Sequence, residues 1–240
     1  SVTFTKELGN DTTKCEGDTV LIDAGNVGAK YLWNDGDTNQ TKKIVTPGTY
    51  RVEISSNGCT EYDTIIVYDQ IVFASFLTPD TASCIPLTSY FTDLSTVNSG
   101  AVTSWNWNFG DGNISSIQNP NNTYSLSGNY TVSLTVTSDL GCTDDTTINS
   151  YIEAFALPIA DFDITPSFGK PRDLISFTNL STNSVAWKWY FDDGDSSILQ
   201  NPTLVLTNEQ TLDVTLTITT AVPLPLQLTG ITGTIDAGVK

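Results

Sequence analysis

The sequence predicts an all-β chain built as three tandem β-sandwich modules, and three observations predict it. One string recurs: Trp105-Asn106-Trp107-Asn108-Phe109-Gly110-Asp111-Gly112 returns as Trp187-Lys188-Trp189-Tyr190-Phe191-Asp192-Asp193-Gly194, and in shorter form as Tyr31-Leu32-Trp33-Asn34-Asp35-Gly36. Aromatic and polar residues alternate in it, so Trp105, Trp107 and Phe109 share one face of a strand, and Asp-Gly supplies the turn. Runs rich in Thr, Val, Ile and aromatic residues are separated by Asn, Asp, Ser and Gly, the pattern of short strands joined by tight turns. No apolar period near 3.6 persists over ten or more residues, so helix is at most a minor component.

The first module is read as residues 1–69. Its strand candidates are Val2–Thr5, Thr19–Asp23, Lys30–Trp33, Lys42–Val45, Gly48–Ser55 and Thr60–Tyr68, separated by Glu16-Gly17-Asp18, Asp35-Gly36-Asp37, Thr46-Pro47-Gly48 and Asn57-Gly58. Tyr50, Val52 and Ile54 fall on one face. The second module, 70–154, holds strand candidates Ile71–Leu77, Leu87–Phe91, Trp105–Phe109 and Tyr130–Thr137, the last with Tyr130, Val132, Leu134 and Val136 inward. The third, 155–240, repeats the second at a constant offset of 82 from Trp105 to Val136: Gln118-Asn119-Pro120 falls on Gln200-Asn201-Pro202. Its end, Ala221 to Leu226, is proline-broken and reads as an edge or kink. The junctions Tyr68-Asp69-Gln70 and Glu153-Ala154-Phe155 carry no Gly/Ser run, so the modules are expected to join stiffly into a rod of ~100 Å.

Composition excludes several functions. Ten Lys and Arg against 27 Asp and Glu, a net charge of −17, rule out phosphate-led nucleic-acid binding and argue against an anionic membrane surface. Acidity favours solubility and offers carboxylates to calcium. The chain has no His, the commonest general base and metal ligand. With no Gly-x-Ser-x-Gly elbow and no sign of carboxylates facing across a cleft, it is expected to be non-catalytic. No run of 18 apolar residues exists, and Ser1 does not open a signal peptide, so direct membrane insertion is not expected and the stretch reads as the interior of a longer processed chain.

The four cysteines lack C-x-x-C spacing, which argues against zinc or redox motifs. Cys15 and Cys59 fall in the first module, Cys84 and Cys142 in the second, and this parallel placement favours one disulfide within each over buried free thiols. A Cys15–Cys59 bridge would close a loop of roughly 45 residues and stabilise by about 3–4 kcal/mol.

With those residues in view, the second module resembles a PKD (polycystic kidney disease) domain, an immunoglobulin-like β-sandwich. The family's aromatic strand running into Phe-Gly-Asp-Gly is matched by Trp105–Gly112, its Asn-Pro by Asn119-Pro120, and its Tyr-x-x-x-Gly-x-Tyr-x-Val-x-Leu-x-Val by Tyr124 to Val136. The third module is similar but divergent: Asp192 replaces the first glycine, and Leu206 to Leu212 lacks the Tyr/Gly/Tyr pattern. The first keeps Trp33, Asp35-Gly36 and Pro47-Gly48-Thr49-Tyr50 and looks like a related Ig-like module. Cys84 and Gly141-Cys142 resemble the cysteine-bearing PKD modules of large Bacteroidetes surface proteins, often exported by type IX secretion and associated with gliding motility. The resemblance implies a secreted, cell-surface location and a stalk or adhesive role, with surface polysaccharide, another surface protein and neighbouring repeats as partners. PKD modules also accompany secreted hydrolases, so the alternative is an accessory polysaccharide-binding array.

Candidate site residues are few. Asp35 with Asp37, Asp111 with Asn113, and Asp193 with Asp195 place two oxygen ligands one residue apart across a tight turn, which suits calcium as well as it suits turn formation. Asp69, Glu153, Asp161 and Asp163 are a second calcium option at the junctions. A calcium titration that leaves the melting temperature unmoved would remove both. Trp105 and Trp187, at strand starts, are the candidates for stacking on a sugar ring, whereas Trp33, Trp107 and Trp189 read as core. Asn-x-Ser/Thr at Asn10, Asn39, Asn113, Asn121, Asn129 and Asn179 matches chance expectation. Asp18-Thr19-Val20 and Asp63-Thr64-Ile65 resemble the O-glycosylation signal of Bacteroidetes surface proteins, and equally suit strands.

Overall fold

The computed structural model describes residues 7–166, 169, 172–205 and 213–219. Val2–Thr5, Leu206–Leu212 and Ala221–Leu226 lie outside those residues. Among the described residues every regular element is a strand.

The first sheet holds β1 (Thr12–Cys15), β6 (Cys59–Gln70), β5 (Gly48–Ser56) and β3 (Lys30–Trp33), in that order, and a two-stranded sheet pairs β2 (Val20–Asp23) with β4 (Thr41–Ile44). Their alternating apolar residues bury Ile22, Tyr31, Trp33, Ile44, Val52, Ile54, Ile65 and Val67 in one core, with Tyr50 packed against it. β1 departs from the sequence expectation. Thr-Thr-Lys-Cys has no apolar alternation to announce a strand, and it forms by parallel pairing with the far end of β6, Cys15 opposite Gln70.

The stretch expected as one strand at Ile71–Leu77 is two, β7 (Val72–Phe73) and β8 (Phe76–Leu77). There follow β9 (Ala82–Cys84), β10 (Leu87–Tyr90), β11 (Thr92–Asp93), β12 (Thr96–Val97), β13 (Val102–Asn108), β14 (Ile114–Ser115), β15 (Asn121–Tyr124), β16 (Gly128–Ser138) and β17 (Thr143–Phe155). β13 pairs antiparallel with β14 and with the second half of β16, placing Trp107 opposite Leu134. β9 pairs parallel with the end of β17. After these come β18 (Phe162–Thr165), β19 (Leu174–Asn179), β20 (Ala186–Phe191), β21 (Ser196–Ser197), β22 (Thr203–Val205) and β23 (Val214–Thr219), in two three-stranded sheets, β18-β19-β22 and β21-β20-β23.

The described residues fall into two compact units, one drawn from the segments 7–78, 91–120 and 132–148, the other from the described residues of 79–90, 121–131 and 149–219. In the first unit, Phe76, Phe91, Trp107 and Phe109 pack ring on ring, with centroids 5.2 Å apart for Phe76–Trp107, 5.6 Å for Phe91–Trp107 and 5.2 Å for Phe91–Phe109. In the second, Phe162, Phe177, Trp189 and Phe191 repeat the arrangement at 5.1, 5.6 and 5.1 Å. Both central indoles are fully buried, and each donates to a carbonyl ten residues on, Trp107 Nε1 to Ile117 and Trp189 Nε1 to Leu199, at 2.9 Å. Aromatic pairs of this geometry contribute beyond their buried area.

A second local signature joins two of the sequence segments. Tyr50 Oη donates to the Thr46 carbonyl at 2.8 Å and Tyr130 Oη to the Leu126 carbonyl at 2.7 Å, four residues back in each case. Such a tyrosine bonding back across a corner is a hallmark of immunoglobulin-like sandwiches.

Candidate functional site

The densest chemistry lies in the first unit, where the first sheet hands over to the next segment. Cys15 is bonded to Cys142, 127 positions away. This corrects the expectation of Cys15–Cys59 and Cys84–Cys142. Cys59 lies opposite Ser56 at one end of β6 and Cys15 opposite Gln70 at the other. Those eleven positions of extended strand separate them by ~36 Å, far beyond the reach of a disulfide. Cys84 pairs with Phe155, the last residue of β17, whereas Cys142 precedes its first. Cys59 is free and exposed; Cys84 is free and buried, and burial raises its thiol pKa.

Around the bridge runs a hydrogen-bonded network with buried Lys14, Gln70 and Ser138 at its centre and exposed Asn98, Ser99 and Asp139 at its rim. Gln70, 2% exposed, donates from Nε2 to the Ser99 carbonyl at 2.7 Å and to Asp139 Oδ1 at 2.9 Å. Its Oε1 accepts from Ser138 Oγ at 2.5 Å, and that oxygen accepts from the Cys142 amide at 3.0 Å. The Gln70 hydrogen bond, above all, holds the Asp139 carboxyl below its ordinary pKa. Lys14 is buried against Asp69, and the Asp69 carbonyl accepts from Asn98 Nδ2 at 2.9 Å. Gly100 has a φ of +79°, and a Cβ there would lie 2.4 Å from Asp139 Oδ1. Gln70 and Ser138 are buried with their side-chain groups satisfied. Losing either would leave the other's buried polar atom short of a partner, which favours one geometry at this point. Sequence reading placed Asp69 and Gln70 at a short junction but missed the clamp. Its one signal was a glutamine at the end of an alternating strand.

The Asp-Gly turns share one construction. The amide of the residue entering the turn bonds to the carbonyl four positions on: Trp33 to Asp37, Phe109 to Asn113, Phe191 to Asp195. Trp33 thus corresponds to Phe109 rather than Trp107. The glycine is left-handed in every copy, with φ of 90° at Gly36 and 96° at Gly112 and Gly194. Gly110 is also left-handed and Asp192 is not, so the third turn opens differently.

The turn carboxylates face their own turns. Asp111 Oδ1 accepts from the Asn113 amide and Oδ2 from its Nδ2, both at 3.0 Å, and Asp193 Oδ1 accepts from the Asp195 amide at 3.0 Å. Asp35 Oδ1 likewise accepts from the Asp37 amide, at 3.3 Å, and in this turn Asp35 and Asp37 also hold the buried Lys42 ammonium, at 2.5 and 3.6 Å. The Lys42 hydrogen bond foremost lowers the Asp35 pKa; burial opposes the Lys42 charge, but the two carboxylates outweigh it and hold its pKa high. Calcium at this turn would have to displace an ammonium ion. Among the described residues no three His, Cys, Asp or Glu side chains converge as a metal-holding group.

The candidate sugar-stacking indoles are both half-buried. Trp105 Nε1 donates to Asp93 Oδ2 at 2.7 Å. Burial opposes the Asp93 charge, but hydrogen bonds from Ser95, Gln118 and Trp105 hold its pKa below the ordinary value. Trp187 packs against its own core, and its buried Nε1 has no partner. Register explains the difference. Asp93 lies opposite Phe76 and its amide donates to Asn119, while Asn179 lies opposite Phe162 and its amide donates to Asn201. Asn179 is therefore the counterpart of Asp93, and its Oδ1 already accepts from the Ser181 amide. The remaining amide nitrogen donates and cannot receive an indole N–H. Asn179→Asp is expected to raise the stability of this core by about 1–3 kcal/mol, read as a higher urea midpoint; an unchanged or lower midpoint would contradict the assignment.

Comparison with known proteins agrees with this architecture. Residues 74–153 match the family model described as PKD domain. The PKD1 domain of Vibrio anguillarum Epp is 35% identical, with 35% of this chain and 94% of that chain covered and a TM-score of 0.31. The PKD1 domain of the Vibrio cholerae metalloprotease PrtV is 29% identical over 33% of this chain and 94% of that one, with a TM-score of 0.29. The N-terminal eight Ig domains of Down Syndrome Cell Adhesion Molecule cover 88% of this chain, which spans 34% of theirs, at 10% identity and a TM-score of 0.50, a likeness of fold. The chain is all-β, of tandem immunoglobulin-like sandwiches, and carries a PKD domain at residues 74–153.

Proposed function

We propose that this chain is a non-catalytic, extracellular stalk and adhesion segment of a large bacterial surface protein, of the gliding-motility adhesin kind, divided into modules at 1–69, 70–154 and 155–240. The observation that carries the reading is the Cys15–Cys142 bridge set in its hydrogen-bonded network. A disulfide belongs to an oxidising, extracytoplasmic setting. This one spans two sequence segments instead of closing within either, so it suits a part that transmits load. Tension entering through β1 crosses the bridge and leaves through β17, and the residues between are bypassed. No helix among the described residues is long and apolar enough to cross a membrane.

The test is made on cells that produce the parent protein. Antibodies against this segment are expected to label intact cells, and deletion of the segment to weaken attachment under flow. Labelling only after permeabilisation, or attachment unchanged by the deletion, would overturn the reading.

A further inference from the structure

We propose that the outer face of the first sheet, around Arg51 and Tyr62, binds a neutral polysaccharide. The inference rests on the adhesive reading above and names its partner class and site. β3, β5 and β6 set Leu32, Glu53 and Tyr62 opposite one another in a cross-strand row. With Asn34 and Arg51 they line a surface concavity of about 500 Å³, within the range of small-ligand sites. Tyr62 is 55% exposed and Leu32 49% exposed, so apolar surface lies open beside the charged groups.

The Arg51 guanidinium lies over the Tyr62 ring, Cζ 4.2 Å from its centroid. Stacking fixes the plane of the fork and leaves its N–H groups free at the edge. Among the described residues, neither this guanidinium nor the Glu53 carboxylate forms an ion pair or a hydrogen bond. Asn34 stiffens the rim, its Oδ1 accepting from the Arg51 amide and its Nδ2 donating to the Thr49 carbonyl, both at 3.3 Å.

A sugar ring presents hydroxyls that donate and accept around its edge and C–H groups on its faces. Arg51 supplies donors, Glu53 an acceptor, and Leu32 and Tyr62 the apolar contact. Charge selects among saccharides. Glu53 and the net charge of −17 repel a polyanion, and Arg51 opposes a cationic group in the groove. A neutral chain meets neither repulsion, and its hydroxyls can hydrogen-bond both charged groups.

The experiment is affinity electrophoresis of the full chain through gels containing dextran, laminarin, xylan, mannan or alginate. At least one neutral polysaccharide is expected to retard it. Tyr62→Ala and Arg51→Met are expected to weaken that interaction by about tenfold or more, as anchor residues do. Both side chains are exposed, and an unchanged melting temperature confirms that each variant is folded. Retardation by alginate alone, by no polysaccharide, or equally for wild type and both variants would overturn the site. The flow-attachment result tests the adhesive reading separately, because it deletes the whole segment.

Discussion

Replacing Cys15 and Cys142 by serine is expected to cost the first unit about 5 kcal/mol. The bridge closes a loop of 127 positions, and on chain-entropy grounds a loop of that length is worth about that much. An engineered bridge often delivers less because it distorts the fold. Here Cys142 already sits within a hydrogen-bonded turn, its amide held by Ser138 Oγ and its carbonyl by the Ser138 amide. The measurement is urea unfolding with and without reductant. A lower midpoint for the double variant, equal to that of reduced wild type, is the expected result. The transition of the core around Trp189 should stay where it was. Coincident curves for oxidised and reduced wild type would show that the bridge is not formed.

Truncating Trp107 is expected to cost about 3–5 kcal/mol, the range for a large buried aromatic. The indole is fully buried among Phe76, Phe91 and Phe109. Its loss also removes the part-buried hydrogen bond from its Nε1 to the Ile117 carbonyl. Trp189→Ala should cost a similar amount in its own core, through Leu199. Trp105→Ala should cost less, because that side chain is half-buried and its loss removes one of several donors to Asp93. Urea midpoints for the three variants check the order; a Trp105 variant as damaged as the Trp107 variant would contradict the division into core and rim indoles.

Much of the fold was legible because it is written in local alternation. Trp107, Phe109, Val132, Leu134 and Val136 alternate with polar residues and are buried as that pattern requires. The repeat offset carried the same reading to Trp189 and Leu216. What escaped notice was non-local. β1 has no apolar face and exists because β6 offers it an edge, and β6 ends where the second segment begins. The partner of Cys15 followed from that pairing, so counting cysteines by segment gave the wrong bridges. The groove at Arg51 and Tyr62 was equally hidden, since it arises from registering three strands. The orphaned Trp187 indole needed the register of Asn179 against Phe162 before the change from Asp93 could be seen.

The Cys15–Cys142 bridge is expected to carry load past the residues between. Pulling single molecules from the two ends tests it most directly. Under oxidising conditions the fully extended chain should fall short by about 420–460 Å, the extended length of 127 residues. Reductant should release that length in one step, and the double serine variant should show it from the start. Full extension of the oxidised wild type, with no length released by reductant, would contradict the account.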